Sequence, residues 1–224
     1  MAERRLPRSA AAFLAVEAPL YAAFLFLDLT GRGGRTIPIK YAGILLCLAF
    51  ALLWATRGGD RLVPAALALT AAADWFLLVR GDHLVLGVAL FLGVQGIYLV
   101  RLRRAGAGSA WPLRAGLAGA AGLAVWALGL AAALELLAAV YYAQLLVNAA
   151  LSWTLPGHRW RRSALGLTLF AGCDLCVGLF NAPVTDPVLY HAVSVGMWLF
   201  YLPSQVLIAL SALPEKEEAH ENHQ

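Results

Sequence analysis

Eight apolar runs of about 18–20 residues follow one another along this chain, and short polar links separate them. A helix of that length rises about 30 Å, which matches the hydrocarbon core of a bilayer. With 61% apolar and 13% charged residues, the composition excludes a soluble domain. The sequence therefore predicts an all-α polytopic membrane bundle of eight transmembrane helices, over residues 10–29, 37–56, 61–80, 84–101, 111–130, 134–153, 162–180 and 187–210.

The fifth and sixth spans come from one long apolar stretch, Trp111 to Trp153, whose only charged residues are Arg114 and Glu135. As a single helix it would be about 65 Å long, roughly twice the thickness of a bilayer. We therefore expect the chain to fold back between Gly129 and Leu134.

The basic residues lie in the short links, which is the pattern of membrane topology and not of a nucleic-acid surface. In an eight-span arrangement, thirteen of the seventeen lysines and arginines fall on one side and four on the other. Because lysine and arginine favour the cytoplasmic side, we expect a multi-pass protein of the cell membrane with both termini cytoplasmic. The four on the other side are Arg32, Arg35, Lys40 and Arg80.

Residues 1–213 are predicted to form a single transmembrane domain. The basic N-terminal segment, followed by apolar residues, is typical of a first transmembrane helix and not of a cleaved signal. Residues 214–224 are polar and charged, and we expect a disordered cytoplasmic tail.

Two aspartates lie deep in the apolar runs, Asp74 in the third span and Asp174 in the seventh. Each follows an arginine by thirteen residues, Arg61 or Arg161, and the aspartates are one hundred residues apart. A carboxylate inside the hydrocarbon region costs about 2.5–3.5 kcal/mol on insertion scales, so it marks a functional site by default. Their matched positions also indicate an internal duplication into two four-helix halves.

Polar side chains recur at helical spacing on the other spans, so that one face of each is predicted to point inward. The fifth span instead carries Gly116, Gly119 and Gly122, which predict a close-packing surface. Hydrogen bonding between helices is an alternative explanation for Gln144, Asn148 and Gln205. The inward stripes of the sixth and eighth spans are Tyr141, Gln144, Asn148 and Ser152, and His191, Ser194, Trp198, Tyr201 and Gln205.

Cys173 and Cys176 form a C-x-x-C pair around Asp174. Without other soft ligands nearby in the sequence, they are interpreted as small packing residues. We expect neither a metal nor a cofactor.

Short motifs occur in a fixed order along the first half of the chain: Ile39-Lys40-Tyr41, Asp74 and residues 91–98 (FLGVQGIY). Cys173-Asp174 and residues 201–209 (YLPSQVLIA) follow in the second half. In this order and spacing they resemble the two halves of the YhhN-type lysoplasmalogenase family, and the likeness covers roughly residues 37–210. In two positions this chain departs from the family, with Ala73 for glycine and Gln95 for a frequent histidine.

The resemblance implies hydrolysis of the vinyl ether bond of alkenyl lysophospholipids, with Asp74 and Asp174 as the acid–base pair. A paired acid and carboxylate about 5–9 Å apart serve glycosidases in the same way, through a related cation. Lys40 or Arg80 would hold the lipid phosphate. The expected substrate-binding residues are Lys40, Gln95, Tyr98, Asn148, Tyr201 and Gln205.

Two alternatives belong to other classes of protein. Two similar halves with one acid each also suit a small proton-coupled transporter. A catalytically inactive membrane protein of the same fold is the other. The expected partners are a lysophospholipid and membrane lipid, with no nucleic acid, and the sequence leaves the headgroup and the oligomeric state open.

Overall fold

The computed structural model describes residues 7–30, 36–181 and 186–214, and the regular structure in these ranges is helical throughout. The all-α prediction is therefore confirmed. Of the tail predicted over 214–224, residues 215–224 lie outside the described residues, as do Arg4, Arg5, Arg32, Arg35 and Lys216. The helices are α1 Arg8–Leu29, α2 Ile37–Ala55, α3 Leu62–Asp74, α4 Leu84–Arg104, α5 Trp111–Ala127, α6 Ala133–Trp153, α7 His158–Asn181 and α8 Pro187–Leu210.

Seven of these helices are long and apolar enough to cross a membrane, counting α3 together with its π-helical continuation Trp75–Arg80. α5 has 17 residues and is the helix that is not among these seven. The predicted fold-back is confirmed, because α5 ends at Ala127 and α6 begins at Ala133, with Gly129 at a φ of 72° between them. This left-handed conformation is accessible to glycine without a steric penalty.

Helix starts follow familiar sequence signals. Pro38, Pro112 and Pro187 each occupy the first turn of a helix, where a missing backbone N–H costs nothing. Asp186 caps α8, since its carboxylate accepts hydrogen bonds from the N–H groups of Val188 (2.8 Å) and Leu189 (3.4 Å).

Six helices form a closed ring in the order α2, α3, α4, α6, α7, α8, with α8 packing back against α2. α1 packs outside the ring against α2 and α8, and α5 packs outside it against α6. The ring gives the bundle a common interior, towards which the inward faces of six helices can point.

The two halves of the chain occupy equivalent places in the ring. Exchanging α2, α3 and α4 with α6, α7 and α8 maps the ring order onto itself. The hydroxyl of Tyr41 donates to the carbonyl oxygen of Ala71, and Tyr142 donates likewise to Ala171, both at 3.2 Å. Because each alanine lies three residues before an inward aspartate, these contacts support the predicted duplication.

The end of the bundle that holds Asp60, Arg101, Arg159 and Ser211 is called the arginine end. Arg101 of α4 donates to Asp60 at 2.7 Å, to Ser163 of α7 at 2.9 Å and to the Ser211 carbonyl after α8 at 3.0 Å. Arg159 also pairs with Asp60. One buried guanidinium thus ties three helix ends to the link before α3.

The prediction of a close-packing glycine surface on α5 is wrong for the described part of the chain. A Cβ added at Gly116, Gly119 or Gly122 would meet no atom within 4 Å. α5 instead contributes Arg114, which is 1% exposed and donates to Asn148 at 2.7 Å and to Gln144 at 2.9 Å.

Candidate active site inside the helix ring

Asp74 lies where α3 changes into the π-helical segment Trp75–Arg80. Its carboxylate is buried and accepts a hydrogen bond from the hydroxyl of Tyr201 on α8. A π-helical turn within a membrane helix is uncommon and often marks a functional site. The change in helical pitch begins immediately after the acid.

Asp174 lies on α7 and accepts a hydrogen bond from the hydroxyl of Tyr141 on α6. It is partly exposed, whereas Asp74 is 6% exposed. The two acids therefore have the same kind of partner, a tyrosine from another helix, but different access to open space.

Aromatic rings connect the two acid–tyrosine pairs. Tyr141 contacts Phe91 with ring centroids 5.8 Å apart, Phe91 contacts Phe170 at 5.5 Å, and Phe170 contacts Tyr201 at 5.5 Å. Both acids therefore lie at the same continuous set of aromatic side chains, inside the ring of six helices.

A layer of buried polar side chains lies one helical turn from the acids, towards the arginine end. Asn148 of α6 donates from Nδ2 to the side-chain and backbone oxygens of Gln95 on α4, both at 3.0 Å. Gln205 follows Tyr201 by one turn of α8 and is 0% exposed. Tyr98 follows Gln95 on α4 and is 1% exposed. Three of the six predicted substrate-binding residues, Gln95, Asn148 and Gln205, thus belong to this layer, and Tyr98 lies one turn further towards the arginine end.

Lys40 lies nearer the opposite end of the ring and is already paired. Its ammonium is 2.6 Å from Asp28 and 4.1 Å from the centre of the Trp198 ring. Trp198 in turn contacts Tyr201 with centroids 5.7 Å apart. Lys40 is therefore linked through aromatic contacts to the partner of Asp74.

The other basic residue considered for the lipid phosphate, Arg80, is exposed and bonds to Asp82 at 2.7 Å. The hydrogen bond from Arg80 holds the pKa of Asp82 below its ordinary value. This pair lies in the link after the π-helical segment and has no described contact with either inward acid.

A third buried acid, Glu17 of α1, lies outside the ring. It is 2% exposed, and neither carboxyl oxygen has a hydrogen-bond partner among the described residues. A Cβ at Gly43 of α2 would come within 2.7 Å of Glu17 Oε1, so the glycine makes room for this carboxyl.

Tyr141, which donates to Asp174, belongs to the candidate site but is not among the site residues predicted from the sequence. It was recognisable as the first member of the inward stripe of the sixth span, but a stripe does not show which helix it faces. Across the described part of the chain, no group of three or more histidine, cysteine, aspartate or glutamate side chains is suited to hold a metal.

Fold and site together define a class: a multi-pass helical membrane protein with a pair of inward acids in a ring of six helices. Comparison with protein-family models gives a match to the YhhN family over residues 35–212. The chain belongs to the YhhN family. Comparisons with curated proteins and with solved structures give no significant match.

Proposed function

We propose that this protein is a membrane hydrolase of the lysoplasmalogenase type, which cleaves the vinyl ether bond of alkenyl lysophospholipids. The observation that carries the proposal is the pair of inward acids, Asp74 and Asp174, each bound by a tyrosine and joined by one aromatic wall. Membership of the YhhN family supports the same class of activity.

The reaction needs one protonated and one ionised carboxyl group. The acid gives its proton to the β-carbon of the vinyl ether, and the carbon that bears the ether oxygen becomes an oxocarbenium ion. Water adds to that carbon while the carboxylate accepts its proton. The hemiacetal proton then moves to the glycerol oxygen as its C–O bond breaks, releasing the fatty aldehyde and the glycerophospho-headgroup.

The aromatic wall fits the electronic demand of this reaction. An oxocarbenium ion is a cation, and faces of aromatic rings attract cations. Phe91 and Phe170 lie between the two tyrosines that hold the acids. They supply an apolar surface for the alkenyl chain close to the reacting carbons.

Lys40 is better placed for the substrate phosphate than the arginine end. In a lysoplasmalogen only a few bonds separate the vinyl ether from the phosphate. Asp60 precedes Asp74 by fourteen residues, about 20 Å along α3, which is too far. The Lys40 ammonium lies 4.1 Å from the centre of the Trp198 ring, and the Trp198 and Tyr201 ring centroids are 5.7 Å apart. Tyr201 in turn donates to Asp74, so Lys40 is two aromatic side chains away from this acid.

The test is aldehyde release from an alkenyl lysophospholipid by the purified protein in detergent. Asp74→Asn and Asp174→Asn should each abolish release, because asparagine neither donates an acidic proton nor accepts one. Asp82→Asn is the matched control, since Asp82 is exposed and lies outside the ring. Undiminished release by either inward variant would remove that residue from the mechanism.

We also propose that the arginine end lies on the cytoplasmic side of the cell membrane. Eight basic residues lie in or beside the links there, and this excess favours the cytoplasmic side. Protease accessibility of a C-terminal epitope in sealed, right-side-out vesicles tests this orientation: protection is expected, and digestion would reverse it. The residues are Arg57, Arg61, Arg101, Arg103, Arg104, Arg159, Arg161 and Arg162.

A proton-coupled transporter is the second candidate function. The twofold character of the ring, with one acid in each half, favours it. Flux into proteoliposomes driven by a pH gradient, without aldehyde formation, would support transport. A protein that neither releases aldehyde nor carries a solute would be the inactive member of the fold, for which Ala73 and Gln95 are the departures from the family's pattern.

A further inference from the structure

Four buried polar atoms lie between the arginine end and Asp74 without a hydrogen-bond partner among the described residues. They are Oγ1 of Thr70, Nε2 of Gln95, the hydroxyl of Tyr98 and Oε1 of Gln205. The side chains that carry them are at most 1% exposed. Nearly all buried polar groups in folded proteins are hydrogen-bonded to protein or to ordered water.

Helix geometry places three of these atoms at one level. Thr70 precedes Asp74 by one turn of α3, and Gln205 follows Tyr201 by one turn of α8. The two helices run in opposite directions and meet at the Asp74–Tyr201 hydrogen bond, so Thr70 and Gln205 share the next level towards the arginine end.

Gln95 reaches the same level from α4. It follows Phe91 by one turn, and Phe91 contacts Phe170, which in turn contacts Tyr201. α4 is antiparallel to α3, and its next inward residue is Tyr98. Tyr98 precedes Arg101 by three residues, on the same face of α4.

We propose that these atoms bind a short column of ordered water that joins the arginine end to Asp74. The amide of Gln95 donates, the oxygen of Gln205 accepts, and the hydroxyls of Thr70 and Tyr98 can do either. A buried water typically makes about three hydrogen bonds, which such a mixed set of donors and acceptors provides.

The arginine end offers an entrance to this column. A pocket of about 430 Å³ opens there, and its lining includes Asp60, Arg61, Arg104 and Arg159. Asp60 also accepts a hydrogen bond from Arg101 and pairs with Arg159. Arg101 lies one turn from Tyr98 on α4, so the pocket adjoins the level of Tyr98. From Arg101 to the level of Phe91 the distance is about 15 Å along α4, and the four atoms occupy about 5 Å of it, between the levels of Gln95 and Tyr98.

The charges at the entrance select what enters. Arg61, Arg104 and Arg159 line the pocket beside the single acid Asp60, so the net positive charge there disfavours entry of cations and admits water. The column supplies water to the interior. The role of the column in catalysis rests on the proposed function. If the column supplies the water that is consumed in hydrolysis, Asp74 is the carboxylate that accepts the proton of that water.

X-ray radiolytic footprinting of the purified full-length protein tests the column without any assay of activity. The pulse splits water into hydroxyl radicals, and a water bound beside a buried ring oxidises that ring. Tyr98 should be oxidised at least about tenfold faster than Phe24, an equally buried ring in contact with Trp198 and Tyr21. Equal, slow oxidation of Tyr98 and Phe24 would overturn the proposal.

A variant ties the oxidation to the named atoms. Thr70→Val with Gln205→Met keeps side-chain volume but removes two of the polar atoms, so Tyr98 oxidation should fall to the level of Phe24. Oxidation of the buried Phe24 should stay as slow as in the wild type, which reports an intact fold. Thr70→Val alone is used if the double variant does not fold. Persistent Tyr98 oxidation in the folded variant would refute these ligands, whereas loss of aldehyde release alone would bear on the proposed function and not on the column.

Discussion

Tyr201 on α8 donates a hydrogen bond to Asp74 on α3, across 127 residues of sequence. Tyr141 on α6 likewise donates to Asp174 on α7, in this case within the second half of the chain. A carboxylate fixed by a phenol from another helix keeps one orientation with respect to the interior. The two tyrosines thus position both acids and help to hold the ring together.

Replacing Tyr201 with phenylalanine should slow aldehyde release by about 10- to 100-fold. A hydrogen bond to a charged group is worth about 1.5–3 kcal/mol, and each 1.4 kcal/mol is a factor of ten. The measurement is kcat/KM for an alkenyl lysophospholipid. Tyr142→Phe is the matched control, because Tyr142 donates only to a backbone carbonyl, that of Ala171. Equal losses in the two variants would show that the Asp74 contact has no special weight.

The sequence was sufficient to predict the helices and the two inward acids, because apolar length and a buried charge are local features. The partners of the acids were not predictable in the same way. The stripe that includes Tyr141 shows which face of its helix points inward, but the order of helices in the ring decides what that face meets. Arg114 was likewise visible in the sequence, while its contact with Asn148 depends on where α5 packs.

Other features have no clear sequence signal. The π-helical segment Trp75–Arg80 contains neither proline nor glycine, the residues that usually mark a break in a helix. The glycines of α5 suggested close packing, yet they face no neighbouring helix in the described chain. Small residues permit close approach, but they do not require it.

Asp60→Asn should destabilise the protein by about 3–5 kcal/mol at neutral pH, because it leaves the buried Arg101 without its charged partner. Burial by itself raises the pKa of Asp60, but the charges and hydrogen bonds of Arg101 and Arg159 outweigh it and hold the pKa below the ordinary value. Thermal unfolding in a mild detergent measures the change.

The same variant tests the pH dependence of stability. Since the folded pKa of Asp60 is lowered, its stabilisation is complete above the unfolded value of about 3.9 and is lost as the pH falls through the folded pKa. The difference in stability between wild type and Asp60→Asn should therefore shrink only below about pH 4. Asp82→Asn is the control with an exposed pair, and a constant difference down to pH 2 would contradict the assignment.

Gly166→Ala should destabilise the protein by about 1–3 kcal/mol through overpacking. A Cβ there would lie 2.8 Å from Cγ1 of Ile208 and 3.0 Å from the carbonyl oxygen of Ser204, so α7 and α8 would have to separate. Gly178 lies on the same helix with no atom within 4 Å of its added Cβ. Gly178→Ala should be neutral or slightly stabilising, and an equal loss in both variants would show that the close approach is not limiting.

Lys40→Met should raise KM for the lysophospholipid about tenfold and leave kcat nearly unchanged, if the ammonium binds the phosphate in the ground state and the transition state alike. The variant should also be less stable, because Asp28, whose side chain is only 11% exposed, loses its cation. Lys40→Met with Asp28→Asn removes that unpaired charge, so stability should largely return while KM stays high. Recovery of both stability and KM in the double variant would mean that Lys40 serves only its ion pair with Asp28, and the headgroup would then have to be bound elsewhere.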